Sequence, residues 1–320
     1  MRGNPRRLLV IFALAGAGLL VALIRHGSPT EIGAYLDGAR ANFGLGGNGS
    51  GLYFGVALLG WFSLGLGGLA RAPSSPVWRR LAWGAMFSLG AVLLVLPLVF
   101  NQSRASWLAT LGLLPALVLG LRLAPSVPAW PRWVWVSALT ALLLMGTTVQ
   151  TLGDIVAQRI AEERTVVTRI AQGQTVAPES SAGIRVGLWR IALEAIQARP
   201  LLGHGPGAAS GLIDAHPRLA EYPHFHNLYL QVWAETGAIG LVGAVLIYGL
   251  LARALLGLWR DKRAPGELTL FLIAAWAFYL AVSVFMIRHD DIHGVAFLGM
   301  LMGASYTFRL HRGVPPAATV

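Results

Sequence analysis

Apolar runs of about 17 to 25 residues alternate along this chain with short stretches rich in Arg, Pro or Asp. A helix rising 1.5 Å per residue needs roughly 20 residues to cross about 30 Å of hydrocarbon. Eight runs meet that length, at about 8–24, 51–70, 81–100, 105–121, 133–149, 228–251, 268–287 and 292–309. One long polar interruption, 150–225, separates the fifth from the sixth. Helical periodicity persists inside it: Ile155, Val156, Ile160, Val167 and Ile170 recur, with Arg159, Glu162, Glu163 and Arg164 on the polar side. A second repeat, Ile184, Leu188, Ile191 and Ala195, follows Ser180 and Ser181 as candidate caps and stops at Pro200. The pattern predicts an all-α fold, a polytopic transmembrane helix bundle of about eight spans with one large, partly helical loop over the outer surface. Its parts are residues 1–149 with spans one to five, 150–227 as the loop, and 228–320 with spans six to eight.

Composition supports the membrane reading and removes others. The chain has 320 residues, 55% hydrophobic and only 12% charged, with a mean hydropathy of +0.62. A soluble domain carries about 25% charged residues, so a water-soluble enzyme is excluded. The net charge of +11 comes almost entirely from Arg in short loops, with Lys262 the only lysine. Such a distribution does not make a nucleic-acid surface. Cysteine is absent, which removes disulfides, thiolate metal sites and a Cys nucleophile. Residues 8–24 follow Arg2, Arg6 and Arg7 and resemble a signal peptide, but no small-residue cleavage site follows, so they are read as a retained first span.

Arginine placement orients the spans. With the N-terminus cytoplasmic, the cytoplasmic segments hold 14 basic residues against two acidic ones, Asp261 and Glu267. Both termini then lie inside and the large loop outside.

Three clusters on that outer side carry candidate chemistry. Asn101-Gln102-Ser103-Arg104-Ala105-Ser106 forms a tight polar connection; Arg104 can be an interfacial snorkeler or an anion-binding group. Arg185 and Trp189 are four apart and share a helix face, as a cation–π anchor or as part of a site. His224-Phe225-His226-Asn227 stands at the start of the sixth span, where a neutral imidazole can accept a proton. His226 is expected on the first turn of that span, with its ring fixed by the bundle and kept neutral by the positive potential of the helix N-terminus, and it is favoured over His224; on one helical turn residues two apart point about 200° from each other, so both cannot face the same acceptor. Metal ligation by this pair needs partners, and no nearby carboxylate or His is suitably spaced, although His204 and His216 lie in the same loop. The Gly203-His204-Gly205-Pro206-Gly207 stretch lacks the strand and the Lys-Ser/Thr ending of a phosphate loop and reads as a glycine-rich turn after a helix stop. Arg288-His289-Asp290-Asp291 is a short charged outer loop that pairs internally or supports the site.

The ordered set Arg185-x-x-x-Trp189, Pro200-Leu201-Leu202-Gly203-His204-Gly205, His226-Asn227-Leu228-Tyr229-Leu230-Gln231 and Glu235-Thr236-Gly237-Ala238-Ile239-Gly240 resembles the signature region of the O-antigen ligase family, which includes O-antigen polymerases. Ser103-Arg104 resembles the family's earlier outer-face arginine. The resemblance implies an inverting, metal-independent glycosyltransferase of the bacterial inner membrane, with no cofactor and with its site on the periplasmic face. The donor would be a glycan on undecaprenyl diphosphate and the acceptor a hydroxyl of lipid A–core oligosaccharide. Arg104 and Arg185 would hold the diphosphate and His226 would assist acceptor attack, with His224, Asn227, Trp189 and Arg288 in support. A polymerase of repeat units and a protein O-oligosaccharyltransferase use the same donor chemistry and stay open. A membrane transporter is the reading from another class, disfavoured because the span centres carry almost no charge.

Overall fold

A computed structural model describes residues 5–71, 75–124, 127, 129–172, 181–287 and 292–310. Among them the fold is all helical, with twelve helices. They are α1 (Pro5–Arg25), α2 (Pro29–Leu36), α3 (Gly47–Ala70), α4 (Val77–Asn101), α5 (Arg104–Leu123), α6 (Arg132–Thr151), α7 (Gly153–Ala171), α8 (Ser181–Ala198), α9 (Ala208–Asp214), α10 (Leu228–Arg260), α11 (Gly266–Ser283) and α12 (Ile292–Leu310). Seven of these, α1, α3 to α6, α10 and α11, are long and apolar enough to cross a membrane. The eighth expected span falls on α12, whose apolar described part, Gly294–Phe308, is shorter than a full crossing. The chain is a multi-pass helical membrane protein. It divides into two compact units.

The first unit comprises the described residues of Met1–Val156, Leu251–Tyr279 and Phe297–Val320. Helix α3 is its centre and packs against α4, α5 and α6. No hydrophobic force drives helices together in lipid, so close approach over small residues supplies the contact. Along α3, Gly55 lies under the Phe278 ring, Gly60 under Phe271 and Gly67 against the Glu267 side chain. A side chain at Gly55 would collide with Phe278. The outward faces stay apolar: Leu14 and Ile24 on α1, Leu89 on α4, Leu111 on α5 and Leu143 on α6 are all exposed, as lipid contact requires.

Polar contacts at the two ends of α3 fix its surroundings. At its C-terminal end Arg71 pairs with buried Glu267, and Ser63 Oγ donates to the Glu267 carbonyl at 2.7 Å. At its start the segment after α2 grips the α4–α5 turn. Arg40 Nε donates to the Asn101 carbonyl at 2.8 Å, the Ala41 amide donates to the Phe100 carbonyl at 2.9 Å, and Gln102 Nε2 donates to the Gly38 carbonyl at 2.9 Å. The α3–α4 connection therefore shares an end of the unit with the start of α11, and the α4–α5 turn shares the opposite end with the segment after α2. This is the alternation that the spacing of apolar runs predicts.

The second unit comprises the described residues of Ala157–Leu250 and Leu280–Ala296. The two helices expected inside the large loop are present as α7 and α8; the short α9 is an addition. The second unit has a core of its own, built from Leu188, Ile191, Ala192, Ala195 and Ile196 of α8, Ala209 and Ile213 of α9, Phe225, and Ala234 of α10. The 33-residue α10 is broken at Gly237, which takes φ 67°, ψ −172°. The Pro200–Gly205 turn fills the break. The Ala238 amide donates to the Pro200 carbonyl at 2.8 Å, and the His204 and Gly205 amides donate to the Ala234 and Glu235 carbonyls at 3.0 and 2.8 Å.

Gly237 occupies a region that only glycine adopts at low cost, and a Cβ there would strike the Leu201 carbonyl. Gly237→Ala is expected to cost about 1–3 kcal/mol from the backbone conformation alone. The thermal midpoint of the purified protein in detergent should fall accordingly, and an unchanged midpoint would contradict this account of the break.

Candidate active site

The His226 turn is assembled by the core beneath it. Phe225 is fully buried in the second unit's core, which forces the residues on either side of it toward the surface. Asn227 then begins α10: its Oδ1 accepts from the Tyr229 and Leu230 amides at 3.0 and 3.1 Å, the geometry of a helix N-cap. Between buried anchor and cap, His226 is held at φ +53°, the left-handed region. That conformation costs a non-glycine residue roughly 1–2 kcal/mol and persists only where neighbouring contacts dictate it.

A buried polar chain supplies those contacts. Gln231 Oε1 accepts from the Phe225 amide at 3.1 Å, Gln231 Nε2 donates to Glu235 Oε1 at 2.6 Å, and the same carboxylate oxygen accepts from the Ala209 amide at 3.3 Å. Gln231 and Glu235 are 4% and 6% exposed. Glu235, an acceptor when ionised, can only receive from the amide nitrogen of Gln231. It thereby turns the Gln231 oxygen toward Phe225.

His226 lies before the helix and not on its first turn, so the expectation that His224 and His226 point apart is corrected. Their rings meet edge to face with centroids 4.3 Å apart, and the His226 amide approaches His224 Nδ1 at 3.4 Å. Tyr222 closes on His226 from another side at 5.8 Å. Burial, then the charges of His224 and Arg185, hold the His226 imidazole down to about 4, against an ordinary 6.5. The ring is neutral at physiological pH. Its Nδ1 is enclosed with no hydrogen-bond partner among the described residues. Arg185, on the first turns of α8, is oriented by Ser181, with Nη1 2.9 Å from Ser181 Oγ. Trp189 packs its ring against Phe285 at 6.3 Å.

Arg104 stands in the first unit, where it opens α5 at the gripped α4–α5 turn. Gln102 before it is also left-handed, at φ +53°. Asn101, fully buried, donates through Nδ2 to the Ala41 carbonyl at 3.1 Å and to Ser50 Oγ at 2.5 Å. Ser103 Oγ and Ser106 Oγ are 3.0 Å apart. Five of the site residues expected from the sequence, His226, His224, Asn227, Arg185 and Trp189, are thus in one unit; Arg104 is in the other. Arg288 lies outside the described residues.

Three supporting residues have no role in the sequence reading, although two of them, Gln231 and Glu235, stand in the quoted signature. Gln231 and Glu235 are polar, four apart, on an otherwise apolar helix, a visible sign of a buried network. Arg40 has no such signal, because its contact with Asn101 is 61 positions away. Among the described residues no group of three or more His, Asp or Glu assembles as metal ligands around the His pair.

Seven helices apolar and long enough to cross a membrane, with a helical unit that carries Arg185 and the His226 turn, define a polytopic membrane protein with a polar candidate site. Residues 89–245, just under half of the chain, match the family model described as O-antigen ligase, and this region belongs to the O-antigen ligase family. The matched stretch contains Arg104, Arg185, Trp189, His224, His226 and Asn227. No curated protein gives a significant match. At the level the family carries, the chain is a membrane-embedded, glycosyltransferase-like enzyme of lipid-linked glycans in lipopolysaccharide biosynthesis.

Removing the Gln231 oxygen strands the buried Phe225 amide, a loss of about 1–3 kcal/mol. Gln231→Leu is therefore expected to lower the thermal midpoint and to release His226 from its left-handed conformation. The His226 ring resonances in selectively labelled protein should broaden or shift; an unmoved His226 spectrum would contradict a positioning role for Gln231.

Proposed function

We propose that this chain transfers a glycan from undecaprenyl diphosphate to a hydroxyl of lipid A–core oligosaccharide, with inversion at the anomeric carbon and without a metal or other cofactor. The reading rests above all on one observation, a neutral imidazole fixed in a left-handed turn within electrostatic range of a guanidinium. The acceptor oxygen attacks the anomeric carbon while the bond from that carbon to the diphosphate oxygen breaks. The electron pair leaves with undecaprenyl diphosphate, and the acceptor proton passes to His226. Arg185 and Arg104 hold the departing diphosphate. Guanidinium forks bind phosphate oxygens bidentately and stabilise the charge that grows on them, as a divalent cation would.

The low basicity of His226 in the free protein fits this order of events. Burial first, with His224 and Arg185 beside it, holds the proton off the ring until the donor arrives. A bound diphosphate cancels the Arg185 charge and raises the imidazole toward the range where a general base is effective. His224, beside it, contributes to the depression and acts as a positioning and tuning group.

Arginine placement in the short loops supports an orientation with both termini cytoplasmic and the His226 turn periplasmic, in the inner membrane. A polymerase of repeat units or a protein O-oligosaccharyltransferase would share the donor, the arginines and the base, and would differ in the acceptor alone.

Two expectations test the proposal in proteoliposomes with an undecaprenyl-diphosphate-linked glycan as donor. Arg104→Lys and Arg185→Lys should each lose about 10²-fold or more in transfer, the scale of removing one fixed donor to a developing anion, because Lys offers a point charge in place of a fork. Wild-type rates in both would assign the arginines to membrane anchoring.

His226→Ala should lose about 10²–10⁴-fold with donor binding kept. Transfer requires neutral His226, so kcat/KM should fall as pH drops through the free-protein value near 4, and not near 6.5. His224→Ala should move that acid limb upward with a smaller loss of rate. An acid limb near 6.5 in the wild type, or equal losses from both alanine changes, would contradict the assignment.

A further inference from the structure

Helix α10 is too long for a membrane. Its 33 residues extend about 50 Å, against about 30 Å of hydrocarbon. The break at Gly237 divides it into 228–236 and 238–260, the second about 34 Å long by the same rise and ending at Trp259 and Arg260, residue types that anchor at an interface.

Exposure changes at the same point. From Leu228 to Ala238 no residue is exposed, and the buried Gln231 and Glu235 lie in this piece. From Ile239 onward large apolar side chains stand out: Ile239, Val242, Val245, Leu246 and Leu250 are each more than half exposed. The first piece is a core helix of the second unit; the second has the surface of a lipid-facing span.

At the level of the break lies the Pro200–Gly203 turn, with Leu201 and Leu202 exposed at 65% and 75%. Two adjacent bare leucines at a loop tip are costly in water, at roughly 1.5–3 kcal/mol for each side chain that could instead be buried. Part of the backbone around them is paired within the unit. The Pro200 carbonyl accepts from the Ala238 amide and from Trp233 Nε1, the Leu201 carbonyl from the Ile239 amide at 3.4 Å, and the Gly203 amide donates to the Arg199 carbonyl at 3.1 Å. Non-helical backbone tolerates hydrocarbon only with its polar groups paired internally; here the Pro200 and Leu201 carbonyls and the Gly203 amide are so paired, which suits the polar side of the acyl boundary and not the bilayer centre. Trp233 beside it and exposed Arg199 before it are residue types that sit at head-group level.

We infer that the Leu201–Leu202 turn is a membrane-insertion tip: it enters the acyl boundary of the bilayer leaflet on its side, continuous with the exposed apolar face of α10 that begins at Ile239. The occupant of this surface is lipid. The true span is then 238–260, and the expected span 228–251 is displaced by about ten residues. The tip fixes the depth of the second unit and keeps the His226 turn, up to about 14 Å of helix farther out, clear of hydrocarbon. This inference is independent of the proposed glycosyl transfer.

Because the chain contains no cysteine, single-cysteine variants can carry one nitroxide each. The full chain in phospholipid nanodiscs, labelled at Leu202→Cys, Ile239→Cys or Ser210→Cys, is examined by its collision with oxygen, which concentrates in acyl chains, and with a water-soluble nickel chelate. The expected result is a preference for oxygen at positions 202 and 239, several-fold above that at exposed Ser210. Leu201→Cys gives the same readout should the 202 variant fold poorly. A chelate preference at 201 and 202 equal to that at 210 overturns the inference. Protection from both reagents overturns it too, because it would place protein and not lipid on the turn.

Discussion

The second unit depends on one exchange of backbone hydrogen bonds. When α10 breaks at Gly237, amides and carbonyls that a continuous helix would have paired are released next to a membrane span, where no water is at hand to satisfy them. The Pro200–Gly205 turn takes up the exchange, giving the Pro200 carbonyl to Ala238 and taking the Ala234 and Glu235 carbonyls for His204 and Gly205. Gly203 and Gly237 allow it because a Cβ on either would occupy the partner's backbone. With the break secured, 228–236 is free to leave the direction of the span and join α8 and α9 around Phe225. The His226 turn is a consequence of that packing.

The proposed chemistry draws on side chains with ordered surroundings in each unit. The arginines proposed to meet the diphosphate are held locally: Arg104 follows left-handed Gln102 and buried Asn101, both tied to the segment after α2, and Arg185, inside α8, is tied back to Ser181. A fork that is already oriented loses less entropy on binding an anion than one recruited from solution. The Glu235–Gln231–Phe225 chain does the same for His226, the proposed base. Its members are buried and bonded to one another, so the polar groups contribute a defined geometry in place of an unsatisfied cost. Neutrality of His226 comes chiefly from burial, where the sequence alone suggested the potential of a helix terminus.

Much of this was legible in the order of residues because hydropathy at membrane scale is a strong signal. The all-helical bundle, six of the seven long apolar helices and the two loop helices α7 and α8 fall where the apolar periodicity puts them, and α10 begins where it should but runs past its expected end. What was not legible depends on distant partners or on one glycine among 39. Nothing local distinguishes Gly237 from the other glycines of the apolar runs, so the break, the shifted span and the insertion tip were hidden. Helices of eight and seven residues, α2 and α9, are too short for a period to declare itself. The placement of His226 on the helix was avoidable, since Asn227 is a favoured N-cap and puts the residue before it outside. Arg40 could be found only from the fold.

The central claim, that this chain consumes a lipid-linked glycan through the His226 turn, is tested most directly by the pool of undecaprenyl-diphosphate-linked glycan in cells deleted for the gene and complemented in turn by wild type and by His226→Ala. The account predicts that the pool accumulates on deletion, returns to its normal level with wild type and stays high with His226→Ala expressed in the membrane at wild-type amount. A pool unchanged by deletion, or restored equally by the alanine variant, would contradict it.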